Sequence, residues 1–169
     1  MKRISILLAV LAFIFVTENT FAQENKPLSP KETVKGKAGS ANVEIVYSRP
    51  SSRGRTMIGG NEPFGEVWRT GANEATTIQF DKAVKIEGKD LAAGKYALFT
   101  IPGEKEWTII FNKEHKQWGA YNYKKDEDAL RVTVPAGKAK SFVETFTIGV
   151  ENNQVTLAWE NSQVAFNVK

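Results

Sequence analysis

Cysteine is absent from the 169 residues of this chain, and histidine occurs once, as His115. Without cysteine there is no disulfide framework, no thiolate metal site and no cysteine nucleophile, so stability must come from packing and hydrogen bonds. With one histidine, a zinc site would draw its other ligands from carboxylates, and a Ser-His-Asp arrangement would have to use His115. The surrounding residues 113–117 (KEHKQ) read as an exposed turn. A loop of spaced acidic calcium ligands is missing too, and Asp126-Glu127-Asp128 reads as a solvated acidic turn. No glycine-rich phosphate loop precedes a helix, because Gly59-Gly60 is too short a signal. No metal and no cofactor is therefore expected. Charge is nearly balanced, 23 basic against 19 acidic residues for a net +4, with lysines scattered along the chain. That excess favours solubility and argues against a nucleic-acid partner.

A long hydrophobic run is lacking as well. Lys2 and Arg3 precede an apolar run, Ile4 to Val16, and Thr20-Phe21-Ala22 follows with small residues. The run is shorter than the roughly 20 residues a membrane span needs. It has the layout of a secretory signal peptide covering residues 1–22, which would leave Gln23 first. An exported protein is expected, periplasmic or extracellular, with no transmembrane segment after cleavage. Residues 23–31 (QENKPLSPK) are polar with two prolines and read as a flexible lead-in to a single domain over 32–169.

What the chain does have is strand pattern. Residues 32–38 and 41–48 form a hairpin around Gly39-Ser40, with Val43, Ile45 and Tyr47 on one face. Short strands follow at 67–70, 76–80 and 84–86, with a turn at Gly88-Lys89-Asp90. Residues 95–101 (KYALFTI) and 106–112 (EWTIIFN) are apolar on both faces, as central strands covered on both sides are. A helical turn at 126–129 leads into an alternating strand at 130–134. Phe142, Glu144, Phe146, Ile148 and Val150 share a face of a long strand, Asn152-Asn153 makes a two-residue turn, and Val155, Leu157 and Trp159 line the next strand. A further turn at Asn161-Ser162 precedes Val164, Phe166 and Val168. Nine or ten short strands with no helical period predict an all-β chain, an antiparallel β-sandwich, with a jelly roll among the architectures that strand number allows.

The densest chemistry lies between Tyr47 and Phe80. Arg49, Arg53, Arg55 and Arg69 could bind a carboxylate, phosphate or sulfated sugar, since the guanidinium fork makes paired hydrogen bonds. The structural alternative is that Arg49 or Arg69 pairs with Glu66 or Glu74 and clasps the long loop to the sheet. Glu74, beside Asn73, could act as acid or base. A glycosidase would need a second carboxylate roughly 5–10 Å away, from Glu66, Glu62 or Asp81. Trp107 and Trp159 fall in alternating strands and read as core. Trp118 and Tyr121 sit in a polar loop with Gln117, Gly119 and Asn122, a setting that suits a sugar face or a loop anchored by its own aromatics.

The segments YSRPSSRGR (47–55), VWRTGANEAT (67–76), AAGKYALFTIPG (92–103), EWTIIFN (106–112), QWGAYNY (117–123) and DALRV (128–132), in that order, resemble the bacterial family known as domain of unknown function 2911. The resemblance runs from about Ser40 to Lys169. It implies an exported, compact, β-rich domain, and it implies no activity and no catalytic residue. The reading from the residues is a domain that binds a small polar ligand, a carbohydrate or an anion. Arg49, Arg53, Arg55 and Arg69 supply charge, Asn73 and Glu74 polar contacts, Trp68, Trp118 and Tyr121 apolar surface. Two alternatives stand beside it: a hydrolase using Glu74 with Glu66 or His115, and an interaction module docking on an envelope protein.

Overall fold

A computed structural model describes residues 27–169. The expected signal peptide lies outside the described residues, as do residues 23–26 of the lead-in. The strands are β1 (Lys31–Ala38), β2 (Ala41–Ser48), β3 (Thr77–Phe80), β4 (Val84–Ile86), β5 (Lys89–Leu91), β6 (Gly94–Ile101), β7 (Glu106–Asn112), β8 (Asp128–Pro135), β9 (Gly137–Glu151) and β10 (Gln154–Asn167). A 3-10 turn at Lys125–Glu127 precedes β8. All pairings between strands are antiparallel.

Six strands form one layer in the order β1-β2-β3-β6-β7-β8. This is a meander interrupted by the β4-β5 hairpin, a simpler connectivity than a jelly roll. The long β9-β10 hairpin forms the second layer. Backbone hydrogen bonds Lys85 N to Lys169 O (2.7 Å) and Glu87 N to Asn167 O (3.1 Å) tie the β4-β5 hairpin to the end of β10. The core fills the space between the layers. Val43, Ile45 and Tyr47 of β2, Ile78 and Phe80 of β3, Leu98 of β6, and Trp107, Ile109 and Phe111 of β7 meet Phe146, Ile148, Leu157, Trp159 and Phe166. Gly36 lets β9 close over β1, since a Cβ there would sit 2.7 Å from Val150 Cγ1.

The period-two pattern explains why one face of β2 and β3 is buried and the other is not. Strands β6 and β7 bury both faces. Behind them Ala75, Ala97, Phe99 and Ile110 form a second apolar cluster, covered by Val67, Ala120 and Tyr123. The segment between β7 and β8 therefore folds back over the outer face of the large sheet, and this positions the site described below.

Four local expectations differ. Residues 67–70 form no strand and contribute a single bridge, Trp68 to Thr100. The turn after β4 lies at Glu87-Gly88 (φ 48° and 81°), and Lys89 and Asp90 pair back in β5. Asn161-Ser162 makes no turn: β10 runs through it, with register shifts between Ala158 and Ser162 that absorb the irregularity. Glu160 holds that bulge at φ 53°, and its carboxylate accepts hydrogen bonds from the backbone of Met57 (3.1 Å) and Ile58 (3.0 Å). Past the bulge, Phe142 leaves the buried face and is exposed. The Asn152-Asn153 turn is present, with φ 50° and 63°.

Candidate functional site

Three of the four arginines of the 49–69 stretch, Arg49, Arg53 and Arg55, are spent on the protein itself. Arg49 donates from Nη1 to Glu32 of β1 (2.5 Å), from Nε to the Phe146 carbonyl (3.1 Å) and from Nη2 to Thr147 Oγ1 (2.9 Å). Its partner is thus Glu32, not Glu66 or Glu74, and the clasp spans β1 and β9. Arg53 donates to the Leu28 carbonyl (3.1 Å), so residues 27–31, expected to be a flexible lead-in, are tied to the domain, and Lys31 already belongs to β1. Arg55 donates to the carbonyls of Ser52 and Ser51, both at 3.0 Å. Glu144 of β9 completes the fastening by accepting from Ser52 Oγ (2.5 Å) and the Arg53 backbone (2.7 Å). Arg69 is half-buried, and its Nε has no hydrogen-bond partner. It offsets part of the burial that pushes Glu62 above its ordinary carboxyl range.

Trp68, expected as a wall of the site, is a core residue. It is buried and stacks on Trp159 with centroids 5.6 Å apart, while Trp107 and Phe146 meet it edge-on. Its indole N–H donates to the Gly71 carbonyl (3.1 Å), the partner a buried tryptophan requires.

The 69–76 loop is strained in one place. Thr70 is buried at φ 55°, a conformation that a β-branched residue resists at a cost of about 1–3 kcal/mol. Hydrogen bonds hold it there: Thr70 Oγ1 to Thr100 Oγ1 (3.1 Å) and Thr76 Oγ1 to the Thr70 carbonyl (2.6 Å). At Gly71 a Cβ would lie 2.9 Å from the Ser48 carbonyl, so the loop can pass this close only without a side chain. The result is that Asn73 and Glu74 project outward beside the segment from β7 to β8.

The two segments then zip together. Ala75 N donates to the Gln117 carbonyl and Gly119 N to the Asn73 carbonyl, both at 3.0 Å, which sets Glu74 opposite Trp118. The second segment is anchored at its far end by a closed network. Asp128 accepts from Tyr123 OH (2.6 Å), Arg131 Nε (2.7 Å) and Asn112 Nδ2 (2.8 Å), and Arg131 Nη2 donates to Tyr123 OH (2.7 Å). Burial, with Asp128 adding to it, pushes the Tyr123 hydroxyl up to about 12.

Between these segments and the outer face of β2, β3 and β6 lies a cavity of about 440 Å³. Val46, Thr77 and Ala75 line it from the sheet side, and Lys31, Lys95, His115, Lys116, Gln117, Glu74 and Trp118 supply the polar groups and rim. Lys31 Nζ meets Glu74 Oε1 at 3.3 Å. Hydrogen bonding from its own backbone, then Lys31, holds the Glu74 carboxyl below its ordinary range. Trp118 is 58% exposed. Gln117 donates from Nε2 to the Glu114 carbonyl (2.5 Å), while its Oε1 is buried without a partner. Three lysines against one carboxylate make this a place for an anion.

Of the residues named from sequence, the structure gathers Glu74, His115 and Trp118 into one cavity. It does not bring Arg49, Arg53, Arg55, Trp68, Arg69, Asn73 or Tyr121 to its lining. Asn73 is at the junction of the two segments with φ 60°. Tyr121 is 83% exposed and lies over Gly119. Glu66 is exposed and not part of the cavity. The residues missed are Lys31, Lys95 and Lys116. Lys95 alone carried a signal, since it alternates with the buried Tyr96 at the start of a central strand.

This is an all-β sandwich domain with a lysine-rimmed cavity on the outer face of its larger sheet. The chain belongs to the family described as protein of unknown function DUF2911, whose model matches residues 29–168. No curated protein and no solved structure matches it.

Proposed function

We propose that this protein binds a small, polar, negatively charged ligand, an acidic sugar by preference, in the cavity bounded by Lys95 and Trp118. The observation that carries this reading is an exposed indole standing beside three lysines over a cavity of about 440 Å³. An indole face takes the apolar C–H face of a sugar ring, and lysine ammonium groups take its carboxylate. The volume falls within the roughly 300–1,000 Å³ of small-molecule sites. The basic-apolar-small pattern of residues 1–22 supports a place for this binding outside the cytoplasm.

The test is calorimetric titration of the purified protein with galacturonate and glucuronate, and with glucose as the neutral control. Binding of the acidic sugars is expected, weakened about tenfold or more by Lys95→Ala and by Trp118→Ala. If neither acidic sugar binds more tightly than about 10 mM, a free energy of less than about 3 kcal/mol, the reading fails.

A hydrolytic reading has one observation in its favour: Glu74 and His115 share the cavity. Glu74 is held ionised, so it would serve as a base and not as an acid. A glycosidase of the usual kind needs a second carboxylate in the same cleft, and Glu66 is not there. Release of reducing sugar from oligosaccharides that is lost in Glu74→Gln would establish this second reading.

A further inference from the structure

A second cavity, of about 490 Å³, opens on the other side of Trp118. Lys116, Gln117 and Trp118 line both, so the indole is a ridge between two hollows and not the end of one. Lys113, Lys124, Glu114, Glu127 and Asn122 complete the second hollow. Five lysines thus line the pair. Among the described residues only Lys31 has a carboxylate within 4.0 Å, and Lys95, Lys113, Lys116 and Lys124 have none. Being unpaired is not special to them: elsewhere Lys35 meets Glu44 and Lys85 meets Asp90, but Lys37, Lys82, Lys89, Lys105, Lys138 and Lys140 likewise have no carboxylate within 4.0 Å among the described residues. The groove itself carries a net positive charge, five lysines against Glu74, Glu114 and Glu127. It is strongest in the first hollow. In the second, Glu114 and Glu127 reduce it, and Asn122 adds hydrogen-bonding capacity.

We infer that the ligand is an acidic oligosaccharide of two or more rings, lying across Trp118 with a carboxylated ring in the Lys95 hollow and the next ring over the Lys113–Lys124 hollow. This rests on the reading of the first cavity given above and extends it to a substrate class with a direction and a minimum length. A single monosaccharide occupies one hollow and leaves the far face of the ridge unused. A chain covers both, and Lys116, which lines both hollows, faces the linkage. Linking two weak subsites makes the second contact intramolecular, so affinity rises with length until both hollows are filled.

The experiment is calorimetric titration of the purified protein with galacturonate oligomers of one to four rings at two salt concentrations. Affinity is expected to rise about tenfold or more from one ring to two or three and then to level off, and to fall with added salt. Trp118→Ala and Lys113→Ala should each flatten that length dependence, with folding checked by circular dichroism. Lys138→Ala, in β9 and outside both hollows, should leave it intact. A monomer that binds as tightly as the trimer overturns the inference and leaves the single-cavity reading standing. No binding of any length overturns both. Equal affinity for a glutamate oligopeptide of matching charge also overturns it, since ring stacking would then contribute nothing.

Discussion

Replacing Asp128 by alanine should remove the anchor of the segment that carries Trp118. The Asp128 side chain is 7% exposed and accepts three hydrogen bonds, from Tyr123, Arg131 and Asn112. Hydrogen bonds to an ionised group contribute about 1.5–3 kcal/mol each, and they do not add when the partners form one network. Some loss is recovered. Arg131 is 31% exposed and reaches water, Asn112 keeps the Lys124 carbonyl at 2.9 Å, and Tyr123 keeps the hydrogen bond from Arg131 Nη2. Breaking one partner out of a largely buried pair costs about 3–5 kcal/mol, and these escapes place Asp128→Ala near the lower end, about 3 kcal/mol. For a domain of this size that is a fall in Tm on the order of 10 °C. Two readouts separate the network from a general loss of packing. Amide exchange should quicken first in residues 113–125. In Asp128→Asn, Tyr123 should ionise at lower pH than in the parent, because the carboxylate that helps hold the phenol protonated is gone, and ultraviolet titration would record it. A loss below about 1 kcal/mol, with the tyrosine titration unchanged, would refute the reasoning.

Three further outcomes follow from the burial and bonding of charged groups elsewhere. Arg49→Ala should cost about 2–4 kcal/mol in guanidinium unfolding, since it frees Glu32, the Phe146 carbonyl and Thr147 together. Arg69→Met should cost clearly less, because it also removes a buried N–H that has no partner. Glu62 gives a pH test. Burial raises its folded pKa above the usual 4.5, so folding favours its protonated form. Its contribution to stability is fully present below the unfolded pKa and is lost as pH rises through the folded one. Glu62→Gln should therefore raise Tm relative to the parent at pH 7, and the gain should disappear near pH 4.

Much of the fold was legible because strand pattern is local. Val43, Ile45 and Tyr47 announce β2 by alternation alone, and the two-faced apolarity of 95–101 and 106–112 marks the strands that end up covered on both sides. Trp107 and Trp159 were readable as core for the same reason. Trp68 was not, because it lies in a glycine-rich loop with no alternation to report its burial, and only the loop's path along β6, where Trp68 pairs with Thr100, places it on Trp159. The Asn161-Ser162 pair looked like a turn because the residues suit one. A bulge held by Glu160 and the backbone of a loop a hundred residues earlier carries the strand through.

The chain by itself settles an all-β class, the order of most strands, the Asn152-Asn153 turn and the absence of any cysteine-based support. Those properties depend on neighbours in sequence, and a period of two can be read wherever it occurs. Where the charges go was decided only in three dimensions. Arg49, Arg53 and Arg55 are consumed largely by backbone carbonyls and a hydroxyl, partners that leave no trace in a sequence because every residue has a carbonyl. The lysines of the cavity come from the start of β1, the start of β6 and the segment beyond β7. They meet because the sheet register sets Val46 beside Thr77 and Gln79 beside Lys95, and because the chain after β7 folds back over that face.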